Sequence, residues 1–175
     1  MTKKAKYNLI GVAASLLLIW LDQWTKKLAV LHLKDQDPFV IWDGVFELQY
    51  LENRGAAFGI MQGQKIAFVI CTAIVLVLLA FLYQRLPETK RFHPLRFVGV
   101  LLVAGAIGNL IDRVSYSYVV DFFYFKLIDF PIFNVADCYV TVGAILMAAL
   151  LLFYYKDEEL DFLNFRKKDG RKEEL

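Results

Sequence analysis

The sequence predicts a mainly α-helical membrane protein with four transmembrane helices and a small extracytoplasmic β-sheet, or cradle, in its first outer loop. The 175 residues are 58% hydrophobic, with a mean hydropathy of +0.47, which exceeds the apolar share of an ordinary soluble domain. This excess is concentrated in four long apolar runs. We therefore expect a single integral membrane domain over residues 1–175.

A bilayer-spanning helix needs about 20 mostly apolar residues. Four stretches meet this requirement, at about residues 8–27, 66–83, 95–112 and 137–155. The first follows a cluster of lysines, as a secretory signal does, but no small-x-small cleavage site follows it. We interpret it as a retained anchor.

The distribution of Lys and Arg predicts the orientation. Most of the 20 basic residues lie in the N-terminal segment, the second connection (residues 84–94) and the charged tail (residues 156–175). Cytoplasmic loops carry an excess of Lys and Arg, so both termini and the second connection are expected in the cytoplasm. The outer loops are then about residues 28–65 and 113–136.

The first outer loop has the pattern of a β-hairpin. Phe39-Val40-Ile41-Trp42 is followed by Asp43-Gly44, a type I′ turn signal. Phe46, Leu48 and Tyr50 then alternate with polar residues, which predicts a half-buried strand with one apolar face on the membrane or on a lipid-like ligand. The second outer loop is rich in aromatic residues, and we expect it to cover a site as a lid.

Polar residues that are energetically unfavourable within a membrane cluster near the outward ends of the predicted spans. They occupy five short segments: Asp22-Gln-Trp-Thr-Lys26, Asn53-Arg-Gly-Ala-Ala-Phe58, Gly108-Asn-Leu-Ile-Asp-Arg113, Val120-Asp-Phe122 and Phe133-Asn-Val-Ala-Asp137. Ionisable groups at membrane depth are functional candidates, so these segments are expected to form one site at the outer interface.

Each segment also has a purely structural interpretation. Asp22 and Lys26, spaced i and i+4, pair on a helix face, and Asn134 with Asp137 matches an N-cap and its third helical residue. Arg113 is long enough to reach the lipid headgroups. Asn109 and Asp112 fit a helix end, and Asn53 fits a turn.

Two carboxylates nevertheless point to chemistry. Asp121 lies in Val119-Val120-Asp121-Phe122-Phe123, where an ionised group needs a partner or a proton. Asp121 and Asp137 flank a short apolar loop on the same side of the membrane, and two close carboxylates tend to share one proton. One then activates water while the other donates a hydrogen bond to the attacked carbonyl. The helix N-terminus favours Asp137 as the ionised member.

At these five segments the chain resembles the bacterial lipoprotein signal peptidases (signal peptidase II), over all four spans and both outer loops. The resemblance implies that Asp121 and Asp137 form the catalytic dyad of an aspartic endopeptidase. It implies substrate-binding roles for Asn53, Asn109, Arg113 and Asn134, and supporting roles for Asp22, Lys26 and Asp112.

The resemblance also implies the substrate: a prolipoprotein whose cysteine carries a diacylglyceryl group and is cleaved just before that cysteine. It implies no metal or organic cofactor, and a multi-pass place in the bacterial cytoplasmic membrane with the active site at the extracytoplasmic interface. Membrane lipids are expected partners. A net charge of +2 gives no case for nucleic-acid binding, and nothing requires more than a monomer.

Two other functions remain compatible with the residues alone. In a proton-coupled carrier, Asp121, Asp137 and Arg113 would form an ion relay, although its polar positions would be expected to continue through the membrane midplane. A non-catalytic membrane assembly factor would tolerate replacement of both aspartates by asparagine.

Overall fold

A computed structural model describes residues 2–55 and 65–163, apart from the side chain of residue 65. It confirms the predicted class, with four helices long and apolar enough to cross a membrane and a small antiparallel sheet. The helices are α1 (Lys3–Leu33), α2 (Lys65–Arg85), α3 (His93–Tyr116) and α4 (Val135–Ala149), and α4 continues into a π-helical turn, Leu150–Tyr154. Short 3₁₀ turns cover Lys90–Phe92, Lys126–Ile128 and Asp157–Leu163. The Ala-Ala-Phe58 part of the second polar segment and most basic residues of the tail lie outside the described residues.

The helices α1 and α3 extend beyond the apolar runs from which they were predicted. Helix α1 has 31 residues, because Thr2 caps its first turn (Ala5 N donates to Thr2 Oγ1, 3.2 Å) and its polar outer turns remain helical to Leu33. Helix α3 ends at Tyr116, where Ser117 takes a left-handed conformation with φ 68°. The outer turns of α1 and α3 therefore stand beside the sheet and bring their polar residues to it.

The sheet has three strands in the order β1 (Phe39–Trp42), β2 (Phe46–Asn53) and β3 (Val119–Tyr124), all antiparallel. The hairpin between β1 and β2 confirms the prediction, but its turn is not type I′. Among its residues only Gly44 has a positive φ, of 69°, whereas type I′ needs positive φ at both central positions. The third strand comes from the aromatic connection that was expected to be a lid, and it carries Asp121.

The predicted apolar face of β2 is also wrong in one respect. The buried residue of this strand is Glu47, which is 3% exposed. Lys126 Nζ lies 2.7 Å from its Oε1 and neutralises its charge. Phe46 instead packs against the rings of Phe123 and Phe125, in the connection between α3 and α4, so this connection is joined to β2 by an ion pair and by aromatic contacts.

Helix α3 packs against the other three helices, and small residues bring it close to α4. A Cβ added to Gly105 would lie 2.5 Å from the Ala136 carbonyl oxygen, and one added to Gly108 would lie 2.6 Å from Asp22 Oδ2. Membrane helices use such residues to approach closely, because van der Waals contact drives their association. The close contact sets α1, α3 and the start of α4 side by side.

Gly105→Ala is therefore expected to lower the free energy of unfolding by about 1–3 kcal/mol, the usual cost of overpacking. The atoms that must move are backbone oxygen and a β-branched side chain, Val140, whose Cγ2 would lie 2.7 Å away. Gly99→Ala is the matched control on the same helix, since its nearest neighbour is the Tyr83 ring at 3.1 Å. Thermal unfolding in detergent measures both variants, and equal midpoints would contradict the prediction.

Candidate active site

Asp121 is held in the middle of a buried strand. It pairs with Leu51 across β2 and is 1% exposed, with Val120 (3%) and Phe122 (5%) buried on either side of it. Two amides donate to its carboxylate: Asn53 Nδ2 to Oδ2 at 2.8 Å and Asn134 Nδ2 to Oδ1 at 2.6 Å. The carboxylate therefore has partners on both oxygens although it is out of contact with solvent.

Asp137 is placed by the first turn of α4. Asn134 is the N-cap: its Oδ1 accepts from Asp137 N at 3.0 Å, and Asp137 Oδ2 accepts from Asn134 N at 3.1 Å. The predicted cap is thus a complete capping box. Asn109 Nδ2, from α3, donates to Asp137 Oδ1 at 2.8 Å. Unlike Asp121, Asp137 is only partly buried.

Asn134 joins the two carboxylates. Its backbone N–H binds Asp137 while its side-chain amide binds Asp121, so the N-cap residue of α4 contacts both carboxylates. Because Asn134 is fully buried (0% exposed) and also donates to Asn109 Oδ1 at 3.1 Å, its amide has little freedom to rotate. Asn134 therefore helps to fix the relative position of the two carboxylates.

Lys26 places a buried positive charge between two carboxylates that lie behind the Asp121–Asp137 pair. Its Nζ donates to Asn109 Oδ1 at 2.9 Å and forms ion pairs with Asp22 Oδ2 (3.0 Å) and Asp112 Oδ2 (3.1 Å). An ammonium has three donors, and all three are used, although the side chain is 4% exposed. The predicted i, i+4 pair is therefore present, as part of a larger network.

The two carboxylates of this network hold the backbone beside the dyad. Asp22 Oδ1 accepts from Ala136 N at 2.9 Å, one residue before Asp137. Asp112 Oδ2 accepts from Val120 N at 3.1 Å, one residue before Asp121. Each member of the dyad is thus attached through its preceding residue to the buried ion-pair cluster.

The sequence analysis missed Gln23. Its Nε2 lies within hydrogen-bond distance of Asp112 Oδ1 (2.9 Å), the Gly108 carbonyl (3.1 Å) and Asp22 Oδ2 (3.2 Å). It therefore crosses from α1 to α3 beside the ion pairs. The only signal was its position inside the Asp22–Lys26 segment, because a neutral amide at a span end does not stand out as a charge does.

Arg113 occupies the edge of the site. Its guanidinium is partly buried and lies over the Phe68 ring of α2, 4.7 Å from the centroid. The carboxylates of Asp137, Asp121 and Asp112 are all within electrostatic range of it. A cation with several donors thus stands next to the dyad.

The environment of Asp121 favours its protonated form. Desolvation by burial, with a further contribution from the negative charge of Asp137, raises the pKa of Asp121 from 3.8 to about 7, against the opposing hydrogen bonds from Asn53 and Asn134. Asp137 receives two N–H donors at the start of a helix, from Asn109 and from Asn134. The two aspartates therefore lie in different environments: Asp121 is buried within a strand, whereas Asp137 is partly exposed.

The described residues 2–55 and 65–163 contain no group of three or more His, Cys, Asp or Glu side chains arranged to hold a metal ion. The nine residues singled out from the sequence are brought together at one end of the helix bundle, through the contacts described above: Asp22, Lys26, Asn53, Asn109, Asp112, Arg113, Asp121, Asn134 and Asp137.

The fold and this site define a multi-pass membrane protein with a paired-carboxylate centre at the ends of its helices. Residues 14–153 match the family model described as signal peptidase (SPase) II. The chain is 46% identical over 145 residues to the lipoprotein signal peptidase of Streptococcus thermophilus, covering 83% of this chain and 92% of that one. It is 42% identical over 137 residues to that of Caldanaerobacter subterraneus subsp. tengcongensis, covering 78% and 91%.

A solved bacterial membrane enzyme, determined by the in meso method at 2.3 Å resolution, superposes with a TM-score of 0.72 at 32% identity, covering 91% of this chain and 93% of that one. The chain belongs to the signal peptidase II family. It is accordingly a membrane-embedded peptidase, which excludes the carrier and the assembly factor as its primary function.

Proposed function

We propose that this protein is an aspartic endopeptidase that removes the signal peptide from diacylglyceryl-modified prolipoproteins, cleaving just before the lipidated cysteine. The observation that carries the proposal is the pair Asp121 and Asp137, held together by Asn134 in two different environments. The curated relatives are named lipoprotein signal peptidases, which supports a prolipoprotein substrate.

The chemistry follows from the two protonation states. The ionised Asp137 takes a proton from a water molecule as the water oxygen attacks the scissile carbonyl carbon, while protonated Asp121 donates to the carbonyl oxygen. When the tetrahedral intermediate collapses, the C–N bond breaks and the proton held by Asp137 passes to the departing amine. Asp121 recovers its proton as the carbonyl reforms. The products are a free signal peptide and a lipoprotein with an N-terminal cysteine.

The asparagines act mainly as positioning residues in this proposal. In Asn53, Asn109 and Asn134 the side-chain oxygen and nitrogen already bind the protein itself, with the amides directed at the dyad. Arg113 is the better substrate donor, because its guanidinium has five N–H groups and lies at the edge of the site over an aromatic ring. It would hold a backbone carbonyl or an ester oxygen of the lipid.

The site lies where such a substrate would present its bond. A signal peptide is an apolar helix in the bilayer, and the diacylglyceryl group holds the adjacent peptide bond at the membrane surface. We propose that both termini are cytoplasmic and that the sheet end of the bundle faces outward, which the positive-inside rule supports. One chain supplies both carboxylates, so we propose that it acts as a monomer.

The substrate assignment is tested with one prolipoprotein in two forms, with and without the diacylglyceryl group on its cysteine. The purified protein in detergent is expected to release the signal peptide from the modified form alone. Cleavage of both forms at equal rates would show a signal peptidase without lipid recognition. Cleavage of neither, under conditions where another lipoprotein signal peptidase is active, would refute the proposal.

The pH dependence of cleavage follows from Asp121. Its pKa of about 7 means that the protonated donor is lost as pH rises through 7, so kcat/KM is expected to fall about tenfold per pH unit above that value. Folding responds in the same direction: the raised pKa makes the folded state bind a proton between about pH 4 and 7, and stability falls as pH rises through that window. A rate that keeps rising to pH 9 would contradict this assignment.

Asn134→Ser tests the hydrogen bond from Asn134 to Asp121 separately from the N-cap role of this residue. Serine is as good an N-cap as asparagine, so α4 should keep its start, but its short hydroxyl does not replace the amide that donates to Asp121 and Asn109. The variant should therefore fold with a free energy of unfolding lower by about 1–3 kcal/mol. We expect kcat to fall at least about tenfold, within the range for a misplaced catalytic group, and the alkaline limb of the pH profile to move upward, because that hydrogen bond lowers the pKa of Asp121. An unchanged pH profile would argue against the positioning role.

A further inference from the structure

A cleft lies between the helices at the end of the bundle opposite the carboxylates. Its volume is about 260 Å³, and it is lined by one face of α1 from Asn8 to Ile19, by the C-terminal part of α2 and by the middle of α3. Val12 and Leu16 on its α1 wall are 58% and 61% exposed, so the cleft is open to the surrounding lipid. It shares no lining residue with the dyad.

The length of the cleft matches one leaflet of a bilayer. From Asn8 to Ile19, at about 1.5 Å per residue, α1 rises roughly 16 Å, and half of a hydrocarbon core is about 15 Å. An extended hydrocarbon chain of one leaflet therefore matches the cleft in length.

Most polar groups of the cleft lie at one of its mouths. Asn8 and Gln84 meet there, with Asn8 Nδ2 donating to Gln84 Oε1 at 3.2 Å. Asn8 Oδ1 has no hydrogen-bond partner among the described residues and is closed to solvent, so a hydroxyl donor would reach it after a rotation of the Asn8 amide. The rest of the described lining is apolar apart from Ser15 and the Tyr83 hydroxyl, and none of it is acidic.

Three exposed lysines stand just beyond this mouth, at Lys3, Lys4 and Lys6 in the first turns of α1. They lie within two turns of Asn8 along the same helix, at the level where a lipid phosphate would be placed by a chain lying in the cleft. Basic residues beside a cleft between membrane helices attract anionic headgroups. The length of the apolar cleft, the polar groups at its mouth and the nearby lysines therefore point to an anionic lipid as the ligand.

We propose that this cleft binds one anionic phospholipid of the cytoplasmic leaflet. One acyl chain lies along α1 between α2 and α3, and a headgroup or glycerol hydroxyl hydrogen-bonds to the Asn8 amide. The phosphate meets Lys4, which lies on the same face of α1 as Asn8, while Lys3 and Lys6 add longer-range attraction. The site is separate from the peptidase centre, and its occupancy is measured without any substrate.

The test uses the purified full-length protein, delipidated in detergent and titrated with phosphatidylglycerol or with phosphatidylcholine of the same acyl chains. Native mass spectrometry counts bound lipid, and the unfolding midpoint gives a second readout. We expect one phosphatidylglycerol to be retained and to raise the midpoint. Equal retention of both lipids, or no saturable binding, would overturn the proposal.

Two variants, each with a matched control, test the headgroup contacts and the acyl-chain contacts separately. Replacing all three lysines by glutamine should weaken phosphatidylglycerol binding about tenfold or more, whereas the triple arginine variant keeps it. Ala80→Leu fills the cleft from α2 and should abolish retention of the lipid, while Ala73→Leu, seven residues earlier on the same helix and outside the cleft, should not. All are expected to cleave prolipoprotein normally. If Ala80→Leu instead raises KM for the prolipoprotein with lipid binding unchanged, the cleft accommodates the signal peptide and the proposal is wrong.

Discussion

Asp121→Asn and Asp137→Asn are each expected to lower kcat/KM for prolipoprotein cleavage by about 10²–10⁴-fold, the usual contribution of general acid–base catalysis. Asparagine keeps the shape of the side chain but neither activates water at position 137 nor carries the transferable proton at position 121. Because the two groups act as one unit, the double variant should be hardly slower than either single variant. The measurement is release of signal peptide from a diacylglyceryl-modified substrate in detergent.

The control for this experiment is Asp43→Asn, which changes an exposed carboxylate in the β1–β2 turn and should leave the rate unchanged. The unfolding midpoints show whether the variants are folded, and Asp121→Asn is expected to lose about 1–3 kcal/mol of stability, because its NH₂ group would face one of the two amide donors, Asn53 and Asn134. A folded variant that keeps most of its activity would remove that aspartate from the dyad. Asp112 would then be the next carboxylate to test, because it also lies within the network.

Lys26→Met is expected to lower the free energy of unfolding by about 3–5 kcal/mol, the cost of leaving buried charges without their partner. The change leaves Asp22 (0% exposed) and Asp112 (1% exposed) facing each other without the ammonium between them. Both carboxylates hold backbone N–H groups next to the dyad, so activity should fall together with stability. Thermal unfolding and a denaturant titration in detergent measure the loss.

Lys27→Met is the matched control, since Lys27 is the next residue on α1 and is exposed. It should change stability by no more than about 0.5 kcal/mol, as surface substitutions usually do. Adding Asp112→Asn to Lys26→Met removes one uncompensated charge, and asparagine still accepts from Val120 N, so part of the stability should return. A Lys26→Met variant as stable as the wild type would show that the two buried carboxylates do not need the ammonium between them.

The membrane class and the position of the site were readable because both depend on local composition. Runs of about 20 apolar residues predict spans whatever their neighbours are, and a charge placed in or beside such a run stands out against them. The capping box at the start of α4 is local as well: Asn134 and Asp137 are three residues apart, and their hydrogen bonds involve only their own turn.

The sequence pattern did not predict structures that depend on contacts between residues far apart in the chain. Val119–Tyr124 has no period-2 alternation because both of its faces are covered, and its pairing partner β2 lies more than 60 residues earlier. The segment therefore looked like an aromatic lid. Glu47 and Lys126, 79 residues apart, were hidden in the same way, because an ion pair that buries a glutamate in a strand has no signature in either segment.

The sequence by itself determined four membrane spans, their expected orientation and the set of polar residues at one end, because the bilayer penalises charge in proportion to local apolarity. Only the tertiary structure decided how that set works. The third strand carries Asp121 into a dry position, Asn134 connects it to Asp137, and Lys26 balances the carboxylates behind them. The contacts of Asn134 with Asp121 and of Lys26 with Asp112 join different elements of the chain, and burial raises the pKa of Asp121. Residue spacing records neither distance nor solvent exclusion, so it identified the two carboxylates and favoured Asp137 as the ionised one, but it did not show that Asp121 is buried.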